Sequence, residues 1–250
     1  MSVFEAVGKG ALLASLVSIT ACATADPNAD FSATDRFEGT SRTIHEFNLT
    51  MDRYVLRPAA QGYNAVTPTL IKHLIGNGFS HLTLPRDFAN YLLQGEVTPA
   101  LKTLGRFTVN TVIGAGVLDP ATEFGLPKKD TDFGVTLGKH GVGEGAYFVL
   151  PFFGPTTGRD AVGRVVDLAF APTTYVGAID SSLSPEVPIA ALALETIDFR
   201  DRNMDVIDDV LYESEDSYVS LRAIYLQRRR AQVAGDEAGA DSLPDIFDSN

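Results

Sequence analysis

An apolar segment near the start of the chain leads directly into its only cysteine, and this arrangement limits what the rest can fold into. Residues 10–21 are apolar or small and end in an Ile-Thr-Ala tripeptide before Cys22. The run is too short for a transmembrane helix, which needs about 20 apolar residues, but it is typical of a secretory signal peptide. We therefore predict that residues 1–21 are removed and that the mature chain has no intramolecular disulfide bond.

The tripeptide and Cys22 together resemble a bacterial lipobox. In that signal the cysteine thiol is acylated, the chain is cut before it, and the new amine is acylated as well. Residue 23 is alanine, and the lack of aspartate there is typical of sorting to the outer membrane. The resemblance implies acyl chains on Cys22, no other cofactor, and a lipid-anchored protein on the periplasmic face of the outer membrane. The alternative is an ordinary signal peptide with an incidental cysteine.

The charge of the chain excludes one class of partner. There are 32 acidic and 20 basic residues, which give a formal net charge of −12 at pH 7. An acidic chain is repelled by nucleic acid backbones, so neither DNA nor RNA is expected as a partner. The hydrophobic content of 45% is enough to bury a substantial core.

Composition divides the mature chain into three parts. Residues 22–34 are mostly small or polar and predict a flexible tether. Residues 235–250 are acidic and small and predict a disordered tail. One folded domain is therefore predicted over 35–234, and it shows no repeat of a solenoid period.

Apolar residues recur at helical spacing through most of that domain. A first helix carries Ile44, Phe47 and Met51 on one face and precedes Pro58. The pattern predicts a mainly α fold of amphipathic helices without a transmembrane span. Further helices are predicted after the Thr-Pro pairs at 67–68 and 98–99, from Pro85 to Gly95, and over 159–170, 188–211 and 216–233.

The segment 113–158 is different because it is rich in glycine. Bulky apolar residues follow in the run 147–153, which is too short and too β-like for a helix. We predict a loop that bends at its glycines and lays Tyr147 near a ligand of apolar character. The glycines concerned are Gly114, Gly116, Gly141, Gly143 and Gly145.

Motifs for catalysis are absent from the sequence. It contains no phosphate-binding loop, no HExxH zinc motif and no GxSxG nucleophile elbow. The four histidines lack the spacing of a zinc site, so no metal is expected. Arg159 and Asp160 are predicted to be a structural pair at a helix start rather than catalytic residues. The chain is therefore not expected to be an enzyme.

Several short blocks follow one another in a specific order. They are DRFEGTSR at 35–42, DRYVLRP at 52–58, NYLLQG at 90–95, RFTVNT at 106–111, FGVTLG at 133–138, GVGEG at 141–145, and SY at 217–218 with YLQR at 225–228. With these blocks, the stretch 35–232 resembles the MlaA (VacJ) lipoproteins.

The resemblance implies a ring of helices in the inner leaflet of the outer membrane, beside a trimeric porin. A passive central channel would take mislocalised phospholipids from the outer leaflet to a periplasmic carrier protein, which maintains lipid asymmetry. The first helix, with Ile44, Phe47 and Met51, would lie at the channel wall, and the glycine-rich loop would be a mobile channel element.

Two other functions fit the same sequence. One is a porin-associated structural lipoprotein without transport activity. The other is a lipid hydrolase, against which the missing nucleophile motif argues.

Overall fold

The computed structural model describes residues 35–170 and 186–235. The predicted signal peptide, Cys22, the predicted tether and positions 236–250 of the predicted tail lie outside these ranges. The helices are α1 Glu38–Met51, α2 Arg57–Val66, α3 Thr69–Leu93, α4 Val97–Val112, α5 Pro120–Glu123, α6 Phe133–Lys139, α7 Gly158–Phe170, α8 Glu186–Arg202, α9 Met204–Asp208 and α10 Ser217–Ala234. Two π-helical turns, Asp52–Leu56 and Asp209–Glu213, and two strands, β1 Tyr147–Leu150 and β2 Gly154–Thr157, complete the list.

The first helix does not end before Pro58, because a π turn carries it onward. The backbone N–H of Arg57 donates to the carbonyl of Asp52, five residues back, and α2 then continues to Val66. Proline lacks an N–H and its ring crowds the preceding turn of an α-helix. The proline here occupies the first turn of α2, directly after the wider π turn, and the two helices join into one bent unit.

The helix predicted to begin at Pro85 corresponds to about the last third of the 25-residue helix α3. The proline lies inside this helix, which is held on both sides of the interruption by buried residues, Gly76 before it and Leu84 and Tyr91 around it. Tertiary packing has here outweighed the helix-breaking preference of proline. The predicted stop at Gly95 is confirmed, with a φ of 75° that favours glycine.

The apolar run after the glycines forms an antiparallel hairpin, as its β-like composition indicates. Tyr147 pairs with Thr157 and Leu150 with Gly154. The amide of Asn48 on α1 fixes the turn: its Nδ2 donates to the carbonyl of Leu150 at 2.9 Å, and its Oδ1 accepts from the N–H of Phe152 at 2.8 Å. The first helix therefore holds the tip of the hairpin in place.

Contacts between the elements close into a ring. α1 packs on β1, β2 packs on α7 and α10, α6 and α7 contact α3, α3 contacts α8, and α8 contacts α2. The helix α6, with α5, lies in the glycine-rich segment, where the sequence did not predict helices. The fold is mainly α-helical.

Within the described part of the chain, no helix is both long enough and apolar enough to cross a membrane.

Candidate functional site

Helix α4 turns its apolar face outward and its polar face inward. Val97, Leu101 and Leu104 follow one another at helical spacing and are exposed, as is Val112 at the end of the helix. The buried side of the helix carries Ala100, Thr103, Arg106 and Asn110. A helix in water does the reverse, because burying apolar surface is favourable and burying charge is costly. The orientation of α4 therefore fits a surrounding that is apolar.

The same inversion extends beyond α4. Val66 is 80% exposed and Phe152 is 71% exposed, whereas soluble monomers rarely expose large contiguous apolar patches. Apolar side chains that are exposed on other elements include Tyr54, Val55, Leu70, Ile71, Leu92, Leu93, Ile113, Phe124, Phe153, Leu168, Ile189 and Leu192.

Charged side chains are buried where α6 packs against α7 and α10. Arg229 on α10 donates to both carboxylate oxygens of Asp160, at 2.9 and 3.0 Å, and also reaches both oxygens of Asp132. Arg159 donates to Asp160 at 3.0 Å, and Tyr225 donates its hydroxyl at 2.6 Å. Burial alone would raise the pKa of Asp160, but the charges of Arg229 and Arg159 outweigh it and hold that pKa far below its usual value.

Arg159 and Asp160 are thus brought together as the sequence pattern predicts, at the start of α7 and inside a larger network. The close approach of α6 and α7 makes this possible. A Cβ atom added to Gly163 would lie 2.7 Å from the Cα of Gly134, so Gly163 is needed for the two backbones to touch, and a Cβ atom on Gly134 would lie 2.6 Å from the carboxylate of Asp160.

A second charged group joins the two π turns. Arg200 on α8 donates to both oxygens of Asp52, at 2.8 and 3.0 Å, and also to Asp208. Tyr212, in the second π turn, donates to Asp52 at 2.6 Å. These contacts join the first π turn to the second.

A polar cavity of about 220 Å³ lies between α3, α4 and the segment that follows α4. It is lined by Asn77, Ser80, His81, Leu84, Arg106, Asn110, Asp119, Thr122 and Lys128. The glycines 114 and 116 border it: a Cβ atom on Gly116 would lie 3.2 Å from the ring of His81, and one on Gly114 would meet the carbonyl of Asn110. The predicted path residues Gly114 and Gly116 therefore shape the turn beside this cavity.

The other predicted glycines belong to the chain leading into the hairpin. Gly141 closes α6 with a φ of 85°, and the N–H of Val142 donates to the carbonyl of Leu137 at 3.0 Å, which makes a Schellman cap. Gly145 also has a positive φ, of 72°, whereas Gly143 does not. Two of the three glycines are thus required by backbone geometry. Their predicted mobility stays a prediction.

Tyr147, which the sequence predicts to lie near a ligand of apolar character, is not on an open surface. Its side chain is fully buried in an apolar cluster with Val149, Tyr218, Tyr225 and Leu226. Alternation along β1 turns the side chains of Tyr147 and Val149 inward. In this structure Tyr147 supports the fold, and no part of it is accessible to a ligand.

The three residues predicted on the first helix have different surroundings. Ile44 is half-buried and packs against the apolar cluster. Phe47 is 43% exposed, and its ring meets that of Phe152 edge to face, with 5.3 Å between the centroids. Met51 is half-buried and is the last residue of α1, directly before the π turn. Among these three, Phe47 has the largest exposed surface available to a lipid.

Sequence reasoning missed the cavity residues Arg106 and Asn110. They lie within the block RFTVNT, whose polar members recur at helical spacing, but the pattern does not tell which face is buried. Among the described residues, no group of three or more His, Cys, Asp or Glu side chains could hold a metal ion.

Comparisons with known proteins agree with this architecture. Residues 33–232 match the family model described as MlaA lipoprotein. The chain is 32% identical over 240 residues to the "Intermembrane phospholipid transport system lipoprotein MlaA" of Haemophilus influenzae, covering 93% of this chain and 94% of that protein. The protein of the same name from Escherichia coli is 32% identical over 218 residues, which cover 84% of this chain and 82% of the relative.

A solved structure also resembles the chain. It is described as "Structural basis for maintenance of bacterial outer membrane lipid asymmetry", and it superposes with a TM-score of 0.70 at 31% sequence identity. The match covers 80% of this chain and 98% of the other.

Proposed function

The chain belongs to the MlaA lipoprotein family, and we propose that it carries phospholipids between membranes as a passive outer-membrane channel. In this proposal, acyl chains on Cys22 anchor it to the periplasmic face of the outer membrane. Mislocalised phospholipids leave the outer leaflet through the ring and pass to a periplasmic carrier, which maintains lipid asymmetry. The family is one of lipid-transport lipoproteins and not of enzymes.

The inverted orientation of α4 is the observation that carries the proposal. Its outer face, with Val97, Leu101 and Leu104, suits acyl chains. Its inner face, with Arg106 and Asn110, borders a polar cavity. Moving a charged group through hydrocarbon costs at least about 2.5–3.5 kcal/mol and by some estimates over 10 kcal/mol, so a conduit must provide a polar route for the head group. A helix with one face of each kind, standing at the edge of a ring, can provide both surfaces at once.

The resemblance to the MlaA lipoproteins implies two protein partners, and the exposed apolar side chains are compatible with one of them in the membrane. A ring that exposes apolar side chains, without a described helix able to span the membrane, is suited to one leaflet or to the surface of an integral membrane protein. We propose a trimeric porin as the partner in the membrane and a soluble lipid-carrier protein as the acceptor in the periplasm.

The proposal is tested in a strain from which the gene is deleted. Phospholipid in the outer leaflet is measured by labelling head groups with a reagent that does not enter the cell. The deletion should raise the labelled phospholipid, and the restored wild-type chain should lower it again. Unchanged labelling in the deletion strain, with the porin present at normal amounts, would refute transport.

The alternative of a structural, porin-associated lipoprotein predicts a different result. The purified protein would then bind the porin but carry no co-extracted phospholipid. A conduit is expected to retain phospholipid through purification in a mild detergent, at a level above that of an unrelated acylated protein prepared in the same way.

A further inference from the structure

We propose that the cavity lined by Arg106 and Lys128 is a binding subsite for the phosphate of a phospholipid head group. This inference rests on the proposed function and adds to it a binding position along the transport route of the lipid. It assigns the phosphate to the cavity and the acyl chains to the apolar side chains at its rim.

The cavity is large enough for a phosphate-containing head group but too small for a whole lipid. About 220 Å³ equals the liquid volume of about seven water molecules. Pockets that enclose a drug-sized ligand begin at about 300 Å³, so two acyl chains cannot enter as well. They would have to remain outside, where the exposed side chains of Val117 and Leu118 lie directly before the lining residue Asp119.

The rim is fixed to the cavity by direct contacts. A Cβ atom added to Gly78 on α3 would lie 3.7 Å from the Cγ1 of Val117, which shows that this side chain packs against α3. The turn from Gly114 to Leu118 is closed by hydrogen bonds from the N–H groups of Val117 and Leu118 to the carbonyl of Gly114. The apolar rim and the polar lining are therefore adjacent parts of one rigid turn.

Positive charge exceeds negative charge by one among the lining residues of the cavity, and Asp130, which is not a lining residue, balances this excess by its ion pair with Lys128. Two cations, Arg106 and Lys128, line the cavity together with one carboxylate, Asp119. Burial would raise the pKa of Asp119, but hydrogen bonds from Thr122, Arg106 and Asn110 outweigh it and lower that pKa, so the carboxylate is ionised. Both of its oxygens are already occupied by these donors.

One side-chain nitrogen of Arg106, Nε, makes no hydrogen bond within the described residues. The Nη1 of Arg106 donates to Thr122 and to the carbonyl of Leu126, at 2.9 and 2.6 Å, and its Nη2 donates to Asp119 at 2.7 Å. The Nε–H is buried and has no hydrogen-bond partner among the described residues, on a residue that is only 6% exposed. A buried donor without a partner is costly, and a phosphate oxygen would satisfy it.

Lys128 supplies the second cation, and its Nζ is buried. Its Nζ lies 2.7 Å from Asp130 as an ion pair but makes no hydrogen bond within the described residues. His81 adds an unpartnered buried Nδ1. Burial and the nearby Arg106 lower the pKa of His81, so its ring is neutral near pH 7 and does not add a third charge.

The test uses the full acylated chain in detergent micelles with Leu118→Trp as a reporter. The natural chain contains no tryptophan, so the signal comes from the rim alone. Quenching is measured with phosphatidylglycerol and with diacylglycerol that carry the same brominated acyl chains. Phosphatidylglycerol should half-saturate at a lower mole fraction than diacylglycerol, because only it has a phosphate.

Three variants separate the subsite from general effects. Lys128→Gln should raise the half-saturating fraction of phosphatidylglycerol by roughly three- to tenfold, the loss of one charge-assisted contact, without affecting diacylglycerol. Ser80→Leu fills the cavity without changing its charge and should act in the same direction. Lys102→Gln removes an exposed charge from α4 outside the cavity and should change neither lipid. Thermal melting confirms that each variant is folded.

Equal half-saturation by the two lipids, or equal effects of Lys128→Gln and Lys102→Gln, would overturn the inference while leaving transport intact. Displacement of the quencher by excess inorganic phosphate would show a free-anion site and overturn the lipid assignment. If neither lipid quenches the wild-type reporter, the subsite and the proposed function both fail.

Discussion

Replacing Arg229 with methionine removes the cation that Asp160 and Asp132 share, and it should be among the more destabilising single changes in this protein. The arginine is 6% exposed and donates five hydrogen bonds, four of them to the two carboxylates. Methionine has a similar length and packs well in apolar surroundings, so the loss of charge dominates the effect.

The size of the stability loss follows from the hydrogen-bond partners that Asp160 and Asp132 keep in the variant. Breaking a buried ion pair by removing one partner typically costs about 3–5 kcal/mol. Asp160 keeps Arg159 and the hydroxyl of Tyr225, and Asp132 keeps the N–H of Val135 and is about one quarter exposed. The loss should therefore lie near the lower end, about 3 kcal/mol. For a domain of this size that lowers the melting temperature by roughly 6–12 °C.

The pH dependence gives a second signature. In the wild type the pKa values of Asp160 and Asp132 are lowered, so their stabilising effect is complete above about pH 4 and is lost as the pH falls further. In the variant the burial of Asp160 is opposed by fewer positive charges, so its pKa should rise. The difference in unfolding free energy between the two proteins should then shrink as the pH is lowered from 7 towards 5.

Thermal unfolding followed by circular dichroism in detergent measures both effects. Arg228→Met is the matched control, because it makes the same change at a half-buried neighbouring position of α10. A loss no larger than that of the control, or a difference that does not change between pH 7 and pH 5, would refute the assignment of Arg229 as the counter-charge of the interior.

Three further predictions follow from other contacts. Gly163→Ala should separate α6 from α7 and lower the free energy of unfolding by about 1–3 kcal/mol through overpacking. The control Gly62→Ala in α2 should be neutral or stabilising, because its added Cβ atom would have no neighbour within 4 Å. Equal melting temperatures of the two variants would contradict the close approach of α6 and α7. Phe47→Ala should alter outer-leaflet phospholipid while costing less than the about 3–5 kcal/mol of a buried phenylalanine, because the ring is 43% exposed; loss of folded protein would show a core role instead. Cys22→Ser should leave uncut precursor in the inner membrane, as fractionation and acyl labelling would show, and normal processing would exclude the lipoprotein assignment.

Local patterns predicted several elements correctly. The apolar periodicity of 159–170 corresponds to α7 at Gly158–Phe170, and the glycine at position 95 ends α3. The β-like run after Gly145 is β1. In each case the decisive interactions lie within a few residues along the chain, where spacing and backbone preference are informative.

The positions of prolines were misleading because their effect depends on distant packing. Pro85 was expected to begin a helix, yet it lies inside α3, since Leu84 and Tyr91 are buried on either side of it. Pro58 follows a π turn that no local pattern in the sequence indicates. Tyr147 was placed near a ligand for a related reason: a tyrosine on a strand can face either way, and the aromatic cluster that covers it comes from α10, about 70 residues later.

The polar interior could not be predicted from spacing either. Arg229 and Asp132 are 97 positions apart, and periodicity does not connect them.

The orientation of α4 could not be predicted either, for a more general reason. An amphipathic pattern shows that two faces differ, but the surrounding medium decides which face turns inward. If the helix is assumed to be surrounded by water, Leu101 is predicted to be buried and Arg106 to be exposed. In the structure Leu101 is exposed and Arg106 is buried.

The two π turns have a consequence for how the length of such a chain can vary through evolution. Deleting a residue from an ordinary α-helix rotates everything that follows by about 100°, which would turn the outward faces of this ring inward. A π turn already contains the extra residue, so losing one restores regular α geometry and leaves the later faces in place. In the turn Asp52–Leu56 such a deletion is expected at the exposed residues Tyr54 and Val55. Asp52 is not a candidate, because its carboxylate forms an ion pair with Arg200. Single-residue gaps between relatives are therefore expected at these turns and not within α3 or α4.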